Sequence, residues 1–197
     1  MLTVCIQAGG ASSRMGEDKA LKTFLGRPLI QRVAEQLSPI ADELIVTTNR
    51  PEEYVFLNLP LFPDLKPGRG ALGGLYTAIA SAKHPIVAVI ACDMPFASAS
   101  LLEAASELLL SEEMDVVIPK SDAGYEPLHA VYRRATCLPA IEAAIDADQW
   151  KVIAWFPHVK VRVLTPDEIR QSDPSGLAFW NVNTPEEFSR AETIAQS

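Results

Sequence analysis

The sequence predicts an α/β fold in which a mainly parallel central sheet is flanked by helices. Short apolar runs alternate with amphipathic helical patterns along the chain, an order that favours parallel pairing. The run Ile86–Ala91 is wholly apolar, which is typical of a strand that is buried on both faces. A glycine-rich turn also follows the first apolar run, where a strand would pass into a helix.

Each element is predicted from its own pattern. Six apolar runs are predicted as strands: Leu2–Ile6, Leu44–Thr47, Ile86–Ala91, Val116–Pro119, Ala130–Tyr132 and Val159–Leu164. Apolar stripes at helical spacing predict three helices, with faces Ile30, Val33, Ala34 and Leu37, then Leu72, Leu75, Tyr76 and Ile79, then Leu101, Leu102, Ala105, Leu108 and Leu109. Capping boxes are predicted at Ser100 with Glu103 and at Thr184 with Glu187, whereas the proline-rich stretch Tyr54–Gly70 is expected to be irregular.

Composition limits the class of protein. The 197 residues are 48% hydrophobic and suffice for one domain, 1–197, with an ample core. The formal net charge of -8 argues against a nucleic-acid-binding surface. Neither a signal peptide nor a run long enough to span a bilayer is present, so we expect no membrane association and a cytoplasmic location.

Cysteine and histidine usage gives no sign of structural metal or disulfides. The three cysteines form no C-x-x-C pair, and this fits a reducing compartment. The three histidines, His84, His129 and His158, have no second ligand three or four residues away. We therefore expect packed or solvated histidines.

The glycine-rich turn has the features of a phosphate-binding loop. Gly9 and Gly10 allow close approach to an anion, and Arg14 and Lys19 supply positive charge beside a helix start. The spacing does not fit the dinucleotide pattern G-x-G-x-x-G, because the glycines fall at Gly9, Gly10 and Gly16. It does not fit the P-loop pattern either, because Gly16 is followed by Glu and Asp before the lysine. A nucleoside triphosphate site is the favoured interpretation, and a plain turn is the alternative.

The buried run Ile86–Ala91 leads directly to Asp93. Open α/β sheets bind ligands at the carboxyl ends of their strands, so Asp93 and the glycine-rich turn should face one crevice. A single carboxylate with phosphate oxygens and water suffices to hold Mg²⁺. The alternative is that Asp93 caps a helix that begins near Ser98.

The segment A-G-G-x-x-S-R-M-G-x-D-K-A-L, which begins at Ala8, resembles the signature of the sugar-phosphate and cofactor nucleotidyltransferases. These enzymes have a Rossmann-like, three-layer fold, and the sequence is most similar to the molybdenum cofactor guanylyltransferases. Further matching segments occur in order along the chain: Gly26–Leu29, Thr48–Arg50, Asp64, Gly70–Gly74, Asp93–Pro95, Glu126–Leu128 and Asn181–Glu187.

The resemblance implies a reaction and its participants. GMP would pass from GTP to the phosphate of molybdopterin-bound molybdenum cofactor, with Mg²⁺ as cofactor and release of pyrophosphate. The N-terminal half would bind the nucleotide and the C-terminal half the acceptor. Other cofactor-biosynthesis proteins and recipient molybdoenzymes are the further partners that it suggests.

The resemblance also implies roles for individual residues. Gln7, Ala8 and Gly9 would line the base and ribose, Asp64 would accept hydrogen bonds from guanine, and Asp93 would hold the metal. Arg14 and Lys19 would bind the leaving phosphates. These are the residues expected at the site: catalytic Arg14, Lys19 and Asp93, and nucleotide-binding Gln7, Ala8, Gly9, Lys19, Asp64 and Asp93.

Two positions depart from the family pattern, since Gln7 replaces the usual leucine and Thr47 replaces an asparagine of some members. A cytidylyltransferase acting on the same acceptor therefore remains an alternative. A GTP-binding module without catalysis is a second alternative, because related folds can keep the nucleotide site while losing the chemistry.

The acceptor half of the crevice carries less specific patterns. His129, Arg133 and Arg134 could meet the acceptor phosphate, or could belong to a strand with exposed arginines. Asn181 and Asn183 could assist the metal or acceptor, or serve as ordinary helix-start residues.

Overall fold

A computed structural model describes residues 1–8 and 18–196, and it has the α/β architecture that the sequence predicts. The described strands are β1 Leu2–Gln7, β2 Thr23–Phe24, β3 Arg27–Pro28, β4 Glu43–Thr47, β5 Leu61–Phe62, β6 Ile86–Ala91, β7 Val116–Ile118, β8 Lys120–Ser121, β9 Gly124–Tyr125, β10 His129–Arg133 and β11 Val161–Val163. The described helices are α1 Leu29–Leu37, α2 Gly70–Ser81, α3 Ala99–Ser111, α4 Arg134–Asp146, α5 Pro166–Ser172 and α6 Pro185–Ala195.

Seven strands form one sheet in the order β11-β7-β10-β6-β1-β4-β5. Strands β6, β1, β4 and β5 pair in parallel, as do β7 and β11, whereas β10 runs antiparallel to both of its neighbours. The carboxyl ends of β1, β4, β5 and β6 therefore meet at one edge of the sheet, which we call the carboxyl edge. Two short hairpins, β2–β3 and β8–β9, lie outside this sheet.

Helices cover both faces of the sheet, which gives three layers. On β1, Val4 and Ile6 pack into a core with α1, α3 and α6, and Cys5 faces a second core under α2 and α4. This alternation follows from the two-residue period of a strand. Because both faces are covered, β1 and β6 are buried along their whole length.

All six predicted strands are present, with small differences at their ends. The short strand β5 lies inside the stretch that we expected to be irregular, so that expectation is wrong at Leu61–Phe62. It forms because the end of β4 still offers unpaired backbone groups, to which β5 adds as an edge strand. Among the described residues, no helix is long and apolar enough to cross a membrane.

Helix caps agree with the sequence at one site and differ at another. Thr184 forms the predicted capping box with Glu187 at the start of α6. The box predicted at Ser100 is wrong, because α3 begins two residues earlier and the hydroxyl of Ser98 accepts a hydrogen bond from the Leu101 N–H. Ser98 has the extended backbone that a cap requires.

Candidate active site

The carboxyl edge gathers residues from four neighbouring parallel strands. Gln7 ends β1 and is paired in register with Thr47 at the end of β4. Asp64 lies two residues beyond β5, and Asp93 lies two residues beyond β6. The topology thus brings together site residues that the sequence placed at separate strand ends.

Asp93 is half-buried just beyond the most deeply buried strand. Burial raises the pKa of its carboxyl above the usual range, and the ammonium of Lys19 acts in the opposite direction. The carboxylate does not cap α3, because Ser98 does so. The helix-cap alternative is therefore excluded.

Lys19 and the backbone of Asp93 are both hydrogen-bonded to the segment that precedes α6. Lys19 begins a 3-10 turn, and its Nζ donates a hydrogen bond of 2.8 Å to Oδ1 of Asn183. The neighbouring Val182 N–H donates to the backbone carbonyl of Asp93 at 3.0 Å. Val182 and Asn183 therefore connect Lys19 with the strand end that carries Asp93.

The donor set at Asp93 fits a magnesium ion that keeps water and substrate ligands. Within residues 1–8 and 18–196, no three histidine, cysteine or acidic side chains form a metal-binding group. A dedicated all-protein cage is therefore absent from this part of the chain. Mg²⁺ instead commonly uses one or two carboxylates and completes its octahedron with phosphate oxygens and water. Asp93 supplies such a carboxylate.

Asp64 is half-buried and oriented by a reciprocal contact with Asn49. The Asn49 Nδ2 donates to Oδ2 of Asp64 at 2.9 Å, and the Asp64 N–H donates to Oδ1 of Asn49 at 2.9 Å. These two bonds fix both the backbone and the carboxylate of Asp64. Its second carboxylate oxygen, Oδ1, makes no hydrogen bond to the part of the chain that the structure describes.

The backbone of Gln7 is hydrogen-bonded within the sheet. Its carbonyl accepts a hydrogen bond from the Cys92 N–H at 3.1 Å, and the next residue, Ala8, donates to the Thr47 carbonyl at 2.8 Å. Its side chain lies under α2, where Oε1 is buried without a hydrogen-bond partner among the described residues. A Cβ at Gly74 would lie 1.9 Å from the Gln7 Nε2, so the glycine makes room for this amide.

A family sequence model described as "MobA-like NTP transferase domain" matches residues 4–161. The chain belongs to this family. It is 34% identical over 197 residues to a molybdenum cofactor guanylyltransferase of Desulfosudis oleivorans, with 100% of this chain and 96% of the relative covered. It is 36% identical to a probable molybdenum cofactor guanylyltransferase of Pelotomaculum thermopropionicum, covering 99% and 94% of the two chains.

A solved structure supports the same assignment for this MobA-like chain. The fold is similar to that of the molybdopterin-guanine dinucleotide biosynthesis protein A of Archaeoglobus fulgidus, with a TM-score of 0.84 and 27% sequence identity. The likeness covers 98% of each chain. The predicted nucleotidyltransferase fold is thereby confirmed.

Two site residues that the MobA-like signature contains, Gly9 and Arg14, lie outside the described residues. Their expected contacts with the nucleotide and its phosphates stay predictions. Of the residues predicted to bind the leaving phosphates, Lys19 lies within the described part of the chain.

The two arginines that could meet the acceptor phosphate are hydrogen-bonded within the fold. Arg133 donates to the carbonyls of Met114 and Leu109, and Arg134 donates to those of Ile79 and Ala80. Both arginines lie at the sheet edge opposite Asp93, since Arg133 pairs with Ile86 at the start of β6.

His129 is fully buried, and its Nε2 accepts the Ser98 N–H at 3.0 Å. All three side chains thus make contacts within the fold, which favours a structural role, although the two arginines are half-buried and not exposed on a strand.

Sequence reasoning also missed a cluster around Asp18. This carboxylate accepts hydrogen bonds from the Ala20 N–H, from the Tyr54 hydroxyl and from the Arg50 guanidinium. Asp18 and Arg50 both lie in segments that match the family signature, but the sequence does not show that they meet. The cluster fixes the residue that immediately precedes Lys19.

Proposed function

We propose that this protein transfers GMP from GTP to the phosphate of molybdopterin-bound molybdenum cofactor and releases pyrophosphate. The observation that carries the proposal is that the Val182–Asn183 segment links Lys19 to the Asp93 backbone at the carboxyl edge, in a chain from the MobA-like family. Relatives named as molybdenum cofactor guanylyltransferases support the choice of nucleotide and acceptor.

Charge explains how these residues would act. The acceptor phosphate attacks the α-phosphorus, a new P–O bond forms, and the bond to the β-phosphate oxygen breaks as pyrophosphate leaves. The transition state is crowded with negative oxygens, so positioning and neutralisation supply the catalysis. Lys19, together with Arg14, would hold the leaving phosphates. The acceptor phosphate is already ionised at neutral pH and requires no side-chain nucleophile.

Asp93 would hold the magnesium ion. When bound there, Mg²⁺ would withdraw charge from the substrate phosphate, as divalent ions do in phosphoryl transfer. The half-buried position of Asp93 strengthens its electrostatic interactions relative to those in water. The Lys19 ammonium nearby favours the ionised carboxylate that a metal ligand must provide.

Asp64 is the proposed guanine-recognition residue. A carboxylate can accept hydrogen bonds from the guanine N1–H and amino group, an edge that cytosine does not present. The contact with Asn49 leaves one carboxylate oxygen of Asp64 without a partner among the described residues. Asp64 would thereby select GTP over CTP.

The deciding experiment measures Mg²⁺-dependent pyrophosphate release from GTP, CTP, ATP and UTP, each with and without molybdenum cofactor. Release from GTP that requires the acceptor is expected. Release from CTP alone would indicate a cytidylyltransferase, and nucleotide binding without release would indicate a non-catalytic GTP-binding module.

Variants at Asp93 connect this activity to the site. Asp93→Asn keeps the size of the side chain but removes its charge, and turnover should fall at least about 100-fold, as expected when a metal-holding charge is lost. Asp167→Asn, at an exposed position on α5, is the matched control and should retain activity. Equal activity of both variants would contradict the role of Asp93.

We also propose a cytoplasmic location and a single functional unit whose N-terminal half binds nucleotide and whose C-terminal half binds acceptor. The free cysteines Cys5, Cys92 and Cys137 are consistent with a reducing compartment. Other cofactor-biosynthesis proteins and recipient molybdoenzymes would be the partners for acceptor supply and product delivery.

A further inference from the structure

The segment Thr48–Tyr54, which follows β4, contacts both ends of the proposed nucleotide site. We call it the brace segment. At one end, Asn49 makes its two hydrogen bonds of 2.9 Å with Asp64. At the other end, Arg50 and Tyr54 bind the carboxylate of Asp18, the residue before Lys19. Neighbouring residues of one short segment thus contact the proposed base site and the proposed phosphate site.

Asp18 is fully engaged within the protein. Its Oδ1 accepts the Ala20 N–H at 3.0 Å, which caps the 3-10 turn that Lys19 begins. Its Oδ2 accepts the Tyr54 hydroxyl at 2.6 Å and also the Arg50 guanidinium. Only 13% of the Asp18 side chain is exposed, so these bonds are shielded from water. The carboxylate therefore acts as a fixed anchor for the backbone of Lys19.

Tyr54 is a rigid partner for this anchor. Its side chain is completely buried, and burial and the hydrogen bond to Asp18 raise the pKa of its hydroxyl. The hydroxyl consequently stays protonated and continues to donate to Asp18. Arg50 is in turn held by Glu53 at 3.0 Å, within the brace segment itself.

We propose that the brace segment positions Asp64 through Asn49 and Lys19 through Arg50, Tyr54 and Asp18. This proposal rests on the proposed function, because it concerns how the same nucleotide site is held. The brace residues are positioning residues that act through Asp64 and Lys19. Because Asn49 and Arg50 are adjacent, the segment fixes the separation between the base-recognising carboxylate and the phosphate-binding ammonium.

The proposal predicts two different defects. Asn49→Ala removes both bonds to Asp64, so base discrimination should weaken. Arg50→Gln and Tyr54→Phe each remove one bond to Asp18, so affinity for the phosphates should fall for every base. Inosine triphosphate separates these defects, because it has the same phosphates as GTP and lacks only the 2-amino group.

The experiment measures the Kd of GTP and of inosine triphosphate by displacement of a fluorescent GTP analogue, with kcat/KM for both in parallel. For Asn49→Ala we expect the preference for GTP over inosine triphosphate to fall at least threefold. For Arg50→Gln we expect both affinities to fall about tenfold with the preference unchanged, the size expected for one charge-assisted hydrogen bond. Tyr54→Phe should give a smaller loss of the same kind.

A matched control uses an arginine of another carboxylate pair. Arg27→Gln breaks the exposed contact of Arg27, in β3, with Glu35 of α1, and should leave both affinities unchanged. Thermal unfolding of each variant identifies loss of fold. Equal loss of both nucleotides in Asn49→Ala, or unchanged binding in Arg50→Gln and Tyr54→Phe, would overturn the brace proposal.

The binding measurement separates this proposal from the proposed function. Selective defects in Kd without any transfer by the unaltered protein would support the brace and contradict the guanylyltransferase. Transfer by the unaltered protein with proportional losses in all variants would support the enzyme and overturn the brace. Absence of GTP binding by the unaltered protein would overturn both.

Discussion

Replacement of His129 by glutamine should remove a defined part of the dependence of stability on pH. His129 is fully buried in β10, with its ring nearly perpendicular to that of Phe179 at a centroid distance of 5.4 Å. Burial lowers the pKa of the imidazole from 6.5 to about 4, although the carboxylate of Asp173 acts in the opposite direction. The folded protein therefore keeps this histidine neutral at pH values where an exposed histidine is protonated.

The size of this effect on the unfolding free energy follows from the difference in the His129 pKa between the folded and unfolded states. Between pH 6.5 and about 4, the unfolded chain binds a proton at His129 that the folded chain does not bind. Folding stability therefore falls as the pH decreases through this window. The contribution present above pH 6.5 and lost by pH 4 amounts to about 3 kcal/mol.

Urea unfolding at intervals from pH 7.5 to pH 4 tests this value. Carboxylates also titrate in this range, so the informative quantity is the difference in unfolding free energy between the unaltered protein and His129→Gln. Glutamine can still accept the Ser98 N–H, and the advantage of the unaltered protein should shrink by about 3 kcal/mol on going to pH 4. The exposed His158 provides the control, His158→Gln. A difference that stays constant with pH would refute a neutral, buried His129.

Three further predictions concern packing, capping and reactivity. Gly73→Ala should destabilise the fold by about 1–3 kcal/mol in urea unfolding, since its Cβ would lie 2.6 Å from the Lys66 carbonyl oxygen; unchanged stability would contradict this close approach. Thr184→Ala should cost about 1 kcal/mol by the same measurement, because the α6 cap is lost, and Thr184→Ser should recover most of it. Cys5 and Cys137 should resist iodoacetamide at pH 8 in the folded protein, because burial raises the pKa of each thiol to about 12; rapid labelling detected by mass spectrometry would contradict their burial.

The strands that position the site were predictable because their apolar sequences indicate burial. Ile86–Ala91 has no polar residue, and the structure buries it on both faces beside β1. The carboxylate that follows such a strand must emerge at the carboxyl edge, so the place of Asp93 also follows from the pattern. Its role as a metal ligand remains part of the proposal.

Local ambiguity explains the two errors in element boundaries. Ser98 and Ser100 are both acceptable caps, and the choice depends on which of them has an extended backbone before the helix. The strand β5 contains only two residues, between Pro60 and Pro63, so no alternation marks it. It exists because β4 provides a partner.

The brace contacts were not predictable for a different reason. Asp18 and Tyr54 are 36 residues apart along the chain, and each belongs to a segment with its own local interpretation. Charge pairing cannot be inferred from such a separation, because many arginines and carboxylates could be combined. The contact becomes visible only when β1 and β4 lie side by side in the sheet.

The direction of β10 explains why Arg133 and Arg134 lie at the sheet edge opposite Asp93. Residues that end a parallel strand of this sheet lie at the carboxyl edge, and by that rule Arg133 at the end of β10 would lie beside Asp93. Because β10 is antiparallel to β6, its last residue instead pairs with Ile86, at the start of β6. Ile86 lies four residues, or about 13 Å, before Ile90, which is near the carboxyl edge. There Arg133 and its neighbour Arg134 donate to backbone carbonyls, including the last-turn carbonyls of α2 and α3. The sequence shows two arginines, which are suited to bind an anion, at the end of β10. The direction of β10 determines at which edge of the sheet these arginines lie.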